Sequence, residues 1–428
     1  MKRPSGESRT AAIAQRDSMS AQGELDGYAR RSKRQGDTPC ARDSATVGVR
    51  PQAAKSRGEK DKPGKGASTD RPAETVYGAL DLGTNNCRLL VARPSRRGFF
   101  VIDAFSRIIR LGEGLIGSGR LSDQAIDRTI DALKVCAEKM SRRGVSRSRL
   151  IATEACRIAA NREDFLDRIR RETGLQIEIV SQETEAKLAV SGCSSLIDPN
   201  SDWALIFDIG GGSSELIWLD LAQVKRRWRG SLTDRMDVQD CIAAWTSLPI
   251  GVVNLAERHG GRDISADAYE AMVQEVTKAI EGFEAKHNFK ERIAEGGAHF
   301  LGTSGTVTTI AGVHLKLPFY ERSRVDGCWL SADEARAVSM DLSAMSYADR
   351  VAQPCIGQER ADLVLAGCAI LEALFRMWPC ERVRVADRGL REGILATLMA
   401  EDGHEGRVRR RRRRRRRGNG ASHSTSTN

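Results

Sequence analysis

One pattern occurs twice in this chain: GALDLGTNNCRLLVA at residues 78–92 and ALIFDIGGGSSELIWLD at residues 204–220. Each copy is an apolar run of strand character closed by an aspartate, then a turn of small residues, then a second apolar run. Such a unit cannot bury its faces alone, so the duplication predicts two similar sheets facing one another across a cleft. In Rossmann and P-loop sites the glycine turn feeds a helix. Here residues 88–92 and 215–219 have β-type side chains and no helical stripe, so the turns at 83–86 and 210–214 are predicted to be hairpin tips.

The remainder alternates strands and helices, which is an α/β pattern. Further strands are expected at 76–82, 99–104, 150–153, 176–180 and 203–209. Ser122 reads as the N-cap of a helix with Ile126, Ile130, Leu133, Ala137 and Met140 on one face, and more helices are expected at 162–173, 183–190, 266–286, 304–314, 331–345 and 362–377. The stretch 220–247, with Trp228 and Trp245, falls outside the repeated theme and reads as an added surface. The predicted organisation is a tail at 1–74, one domain at 75–197, a second at 198–402 whose last helix packs back on the first, and a tail at 403–428.

Net charge of +11 over 428 residues invites a nucleic-acid reading, but the charge sits at the ends. Residues 1–74 carry about +6 and those after 400 about +7, leaving about −2 between. Both tails lack the apolar content to offset ordering entropy and are expected to be disordered. Arg407 and the run 409–417 can bind RNA, DNA or polyphosphate through phosphate charge alone, without aromatic residues for base stacking. Ten cysteines with no C-x-x-C pair in so long a chain read as reduced thiols. No run approaches the ~18 apolar residues of a membrane span, and residues 11–14 are too short an apolar run for a signal peptide. A cytoplasmic protein without a membrane partner is expected.

The turns carry the chemistry. Gly83 and Gly210, Gly211 and Gly212 permit φ > 0 and let N–H groups approach a phosphate, while Thr84, Asn85, Ser213 and Ser214 add side-chain donors. Asp81 and Asp208, ending the leading strands, would repel a polyanion unless a divalent cation such as Mg²⁺ joined them. Arg88 and Arg157 are candidate phosphate forks. Gly302, Ser304, Gly305 and Thr306, at the turn opening the helix 304–314, make a third candidate anion site.

The strings DLGTNNCR, ATEACR, DIGGGSSE, GTSGT, RADLVLAG and GLREG occur in the order expected of the exopolyphosphatase and guanosine pentaphosphate phosphohydrolase (Ppx/GppA) family, which this chain resembles over residues 76–400. The resemblance implies a duplicated actin-like ATPase (ribonuclease H-like) fold and removal of the terminal phosphoryl from inorganic polyphosphate, guanosine pentaphosphate or both. It also implies a homodimer as the assembly to test. Longer relatives carry a C-terminal HD-type domain, so the chain reads as the short form.

Glu154, at the end of the strand 150–153, with Arg157 three residues later, suits a carboxylate that readies water beside a cation that neutralises phosphoryl charge. In the resembling family an acidic residue of the QETEA segment lies near the metal and the attacking water, and alignment favours Glu185 over Glu183. Both glutamates also suit a helix N-terminus. Arg360 with Asp362, and Arg391 with Glu392, read as interdomain ion pairs or helix caps. Two other classes compete with a hydrolase: a non-catalytic nucleotide or polyphosphate sensor whose tails bind nucleic acid, and a kinase, for which no acceptor pocket is evident.

Overall fold

Alternation of side chains accounts for the central strands before any topology is considered. Strand β1 (Tyr77–Leu82) sends Tyr77 and Ala79 into one core and Leu80 and Leu82 into another, so both of its faces are covered. Strand β6 (Trp203–Ile209) divides likewise, with Ala204 and Ile206 on one side and Leu205, Phe207 and Ile209 on the other. The structure, a computed structural model, describes residues 75–95, 98–198, 200–222 and 238–403. Met1–Thr69 separates from Asp70–Asn428, and everything below concerns the latter. The expectations for both tails and for Trp228 lie outside the described residues.

In the first sheet β1 forms a hairpin with β2 (Asn86–Ser95), β3 (Gly98–Ile108) adds antiparallel to β2, and β4 (Arg147–Ala152) pairs parallel with β1, followed by the short β5 (Glu178–Ile179). The order is β3-β2-β1-β4-β5. The second sheet repeats it. Strands β6 and β7 (Ser214–Asp220) make the hairpin, β8 (Ile242–Leu248) adds antiparallel, and β9 (Ala298–Thr303) pairs parallel with β6. Beyond β9, the short strand β10 (Trp329–Ser331) pairs antiparallel with β11 (Arg382–Ala386), which is itself parallel to β9. Read from β8, the order β8-β7-β6-β9-β11 reproduces that of the first sheet, with β10 added at the edge. This is the duplicated ribonuclease H-like plan of actin-like proteins.

Two expectations change. Residues 242–248 are not an added surface: they close the hairpin sheet, with Trp245 opposite Ile217. The strand expected at 176–180 keeps only two residues in the ladder.

Ser122 caps helix α1 (Asp123–Arg142), its Oγ accepting from the Ala125 N–H at 3.2 Å. A single turn, α2 (Glu154–Ile158), leads to α3 (Arg162–Thr173), which ends at left-handed Gly174 and covers the outer face of the first sheet with α1. The helix α4 (Gln182–Cys193) is capped by Ser181. The second sheet is covered by α5 (Val252–His259), α6 (Ala266–His287), α7 (Ser304–His314), α8 (Ala332–Ala344) and α9 (Val364–Met377), around a cluster in which Trp218 stacks on Phe289 at 4.2 Å. The last helix, α10 (Leu390–Glu401), packs on α4 and β1, and these two helices share the core that joins the inner faces of both sheets. Their contact is close because glycines line it. A Cβ at Gly192 would overlap the Gly389 carbonyl, and one at Gly393 would overlap the Leu188 carbonyl.

His299, on β9, is 4% exposed and packs edge-on to Trp329. Burial pulls its pKa down to about 4, so the fold holds the ring neutral while the unfolded chain protonates near 6.5. Stability from this site is therefore complete above pH 6.5 and lost as pH falls from there toward 4, by about 3 kcal/mol. In denaturant titrations at pH 7 and pH 4.5, His299→Gln is expected to show a smaller loss between the two than the parent. An identical loss refutes the assignment.

Candidate active site

The two hairpin tips meet. In the first, the Gly83 N–H bonds the Asn86 carbonyl at 2.9 Å; in the second, the Gly210 N–H bonds the Ser213 carbonyl at 3.0 Å. Behind the first tip the amides of Ile109, Arg110 and Gly112 bond the carbonyls of Asn85 and Thr84. Behind the second, the amides of Val252 and Val253 bond the carbonyls of Gly210 and Gly211, and Asn254 Nδ2 bonds that of Gly212 at 2.8 Å. Each tip is thus held by its carbonyls from behind.

Expected φ > 0 at these glycines is not what the structure uses, since none of the four adopts it. Close approach explains Gly211 and Gly212 instead, and Gly210 is closed by its own tip, where a Cβ would lie 2.8 Å from the Ser213 carbonyl oxygen. A Cβ at Gly212 would lie 2.6 Å from Thr84 Oγ1 and 3.3 Å from Glu154 Cγ, and one at Gly211 3.1 Å from Thr84 Cβ. Thr84 is wedged between the tips and Gly112, whose Cβ would overlap Thr84 Cγ2. Gly112→Ala is expected to destabilise the fold by roughly 1–3 kcal/mol. Most of that should return in a Thr84→Ser background, which removes the obstructing methyl and keeps the hydroxyl. A double-mutant cycle by chemical denaturation checks this, and additive costs would sink the wedge.

Between the tips lies a crevice lined by residues of both sheets: Asp81, Gly83, Thr84, Asn85 and Arg88 from the first, and Asp208, Gly210, Gly211, Gly212, Ser213, Ser304, Gly305 and Thr306 from the second. Thus most candidate phosphate residues and both candidate metal ligands share one cavity. Ser304 holds φ 82° at the start of α7 and donates to the Ile209 carbonyl at 2.5 Å. The buried Oδ1 atoms of Asn85 and Asn86 have no hydrogen-bond partner among the described residues. Gly302 does not reach the cavity. It is buried in β9, where a Cβ would meet the Phe207 ring at 2.7 Å, so it serves packing rather than anion binding.

Glu154 reaches the second tip as expected, its Cγ 3.3 Å from where a Gly212 Cβ would lie, whereas Arg157 is placed differently from the expectation. Neither lines the crevice. Arg157 spends its guanidinium inside the protein, on Glu154 Oε2 at 2.9 and 2.7 Å, on the Val180 carbonyl at 2.6 Å and on Glu185 Oε2 at 3.1 Å. It is a clamp on two carboxylates. Glu185 does line the crevice, buried at 6% exposure, while Glu183 faces outward and pairs with Lys187 at 2.7 Å. No described residue donates to Glu185 Oε1.

The residue missed from sequence is Glu215. It lines the crevice, 2% exposed, with Ser213 Oγ and Ser247 Oγ donating to its Oε1 at 2.7 and 2.9 Å. The register offers the signal: Glu215 stands opposite Asp208 as Arg88 stands opposite Asp81, so the two occupy matching places in the repeat. Arg360, Arg391 and Glu392 line the crevice too; Asp362 pairs with Arg110 at 2.9 Å, and Glu392 also caps Gly389. For Asp362 and Glu392 the ion-pair and capping readings describe what is seen. For the two arginines they do not.

Crowded acids dominate the electrostatics. Burial pushes the Asp208 carboxyl up to about 7, reinforced by Glu215 and Asp81. Burial also raises Asp81 against the pull of Arg88 and Arg391, and raises Glu215 despite its serine donors. Glu185 is raised well above the usual carboxylate range by burial and by Glu215, against Arg157. Among the described residues no three His, Cys, Asp or Glu side chains form a ready metal cage. Hard oxygen donors on Asp81, Asp208 and Glu215 still fit Mg²⁺, which takes one or two carboxylates and completes its shell with water and phosphate.

The Ppx/GppA phosphatase family model matches residues 90–402. A guanosine-5'-triphosphate,3'-diphosphate pyrophosphatase of Photobacterium profundum is 27% identical over 337 residues, which are 78% of this chain and 61% of the relative. The chain therefore spans about three fifths of that relative's length. A Haemophilus influenzae protein named as an exopolyphosphatase is 26% identical over 75% of this chain and 90% of its own length. Among solved structures, the Aquifex aeolicus Ppx/GppA family member superposes with a TM-score of 0.61 at 25% identity, covering 77% of this chain and 98% of that one. An exopolyphosphatase-like protein superposes at 0.66 and 26% identity, covering 76% and 98%.

Proposed function

The chain belongs to the Ppx/GppA phosphatase family, and from that premise we propose that it is an exophosphatase hydrolysing the terminal phosphoanhydride of inorganic polyphosphate, guanosine pentaphosphate or both. The observation that carries this reading is the meeting of two glycine tips over a cluster of buried carboxylates. A tip whose carbonyls are bonded from behind offers its N–H groups to phosphate oxygens, with the Thr84 hydroxyl beside them. Asp81, Asp208 and Glu215 would hold Mg²⁺, which when bound neutralises charge on the phosphates.

Glu185 takes the role first given to Glu154. Arg157 fixes its Oε2 and leaves Oε1 to accept a proton from water, and a carboxylate in so acidic and buried a setting is a stronger base than an exposed one. As the water oxygen bonds to the terminal phosphorus, the bond to the bridging oxygen breaks, and the developing charge lies between the tips and Arg88. Glu154 acts through Arg157, as the second anchor of the clamp.

Purified full-length protein is expected to release orthophosphate from polyphosphate or guanosine pentaphosphate with Mg²⁺ and to stop when a chelator is added. Activity that persists in excess chelator defeats the metal assignment. Binding of either substrate without orthophosphate release over hours defeats the hydrolase reading and leaves a sensor.

A further inference from the structure

Helix α10 brings to the crevice a charge that has nothing in the protein to hold. Glu392 is committed twice, accepting from the Gly389 N–H at 3.0 Å and pairing with Arg322 at 2.8 Å. Arg391, its neighbour, makes no hydrogen bond or ion pair with any described residue and lines the crevice. Arg88, reaching in from β2, is in the same position. Each is thus a fork of donors with no acceptor. Burial opposes the charge on Arg391 and Arg88 adds to that, against the pull of Glu392 and Asp81. Asp81 lies within electrostatic reach of both and within ion-pair distance of neither.

A guanidinium cannot shed its proton to escape such a setting. Two of them facing one cavity have their donors satisfied by an anion that both can share, and planar forks match the oxygens of a phosphoryl group. The N-terminal end of α10 adds its dipole in the same sense. We propose that Arg391 is a substrate-binding residue which, with Arg88, seats one phosphoryl group of the phosphate chain. The proposal rests on the phosphoanhydride reading above and gives the C-terminal helix a direct part in it. Arg391 comes from the last helix of the described chain, Arg88 from the first hairpin, so substrate joins the two ends of the fold.

Inorganic tripolyphosphate is the probe, bound by calorimetry in Mg²⁺ to the full chain carrying Glu185→Gln so that turnover does not intrude. Adding Arg391→Gln is expected to weaken binding at least tenfold, Arg391→Lys to recover part of the loss, and the thermal midpoint to stay in place. Affinity within twofold of the parent overturns the proposal. So does a loss matched by a fall in the thermal midpoint and not recovered by lysine. Wild-type protein that binds tripolyphosphate yet releases no orthophosphate from any substrate ends the hydrolase reading, while the Arg391 comparison still decides the seat.

Discussion

Glu185→Gln is expected to slow orthophosphate release by roughly 10²–10⁴-fold, the range for removing a positioned general base. The amide keeps the shape of the side chain and one hydrogen bond from Arg157, so substrate binding should survive. Stability should hold or rise, because the replaced carboxyl is buried beside Glu215 and disfavoured there. Glu154→Gln is the informative contrast. Glu154 receives two of Arg157's bonds and does not line the crevice. Weakening that anchor turns Arg157 more fully onto Glu185 and makes Glu185 a poorer base, so the rate should fall by roughly tenfold only. Glu183→Gln, on the outer face, should leave the rate alone. Steady-state rates for the three variants decide the matter, and a greater loss in Glu154→Gln than in Glu185→Gln would return water activation to Glu154.

The strand end that carries Glu154 was legible, and it does bring the side chain to the second tip, where a Gly212 Cβ would lie 3.3 Å from its Cγ. A strand end gives direction but not the partners: Arg157 joins Glu154 to Glu185, and that link across 28 residues has no signal in the local pattern. The hairpins themselves were legible, since a period of two on both sides of a small-residue turn has few alternatives, and the repeat supplied the second sheet. The reason for the glycines was not. Sequence can show that a side chain is missing but not what it would have struck, and at Gly211 and Gly212 the obstacle is the opposite tip. The strands β8, β9 and β11 escaped notice for a related cause. Ile242–Leu248 is as long as β6 and β7 but holds Ala, Thr and Ser among its apolar residues, so pairing rather than pattern makes it a strand.

Gly393→Ala should disturb stability and catalysis together. The added methyl would overlap the Leu188 carbonyl oxygen and lie 2.9 Å from its carbon, and the obstacle is backbone of α4, which has no rotamer to swing aside. Overpacking of this kind costs roughly 1–3 kcal/mol or more. Relief requires α10 to move away from α4. Both helices point their N-terminal ends at the crevice, α4 carrying Glu185 and α10 carrying Arg391 and Glu392, so the shift separates the proposed base from the proposed phosphate seat. A displacement near 1 Å in reacting groups is worth about 10²-fold in rate. The expected result is a lower thermal midpoint and a rate reduced by about that factor under conditions where the variant is fully folded. Gly282→Ala supplies the control, since its Cβ meets nothing within 4 Å on helix α6. It should stabilise the protein by about 1 kcal/mol through helix propensity and leave the rate unchanged. A Gly393→Ala protein that loses stability but keeps its rate would show that the α4–α10 contact only holds the core together, and that the site is positioned by the hairpins alone.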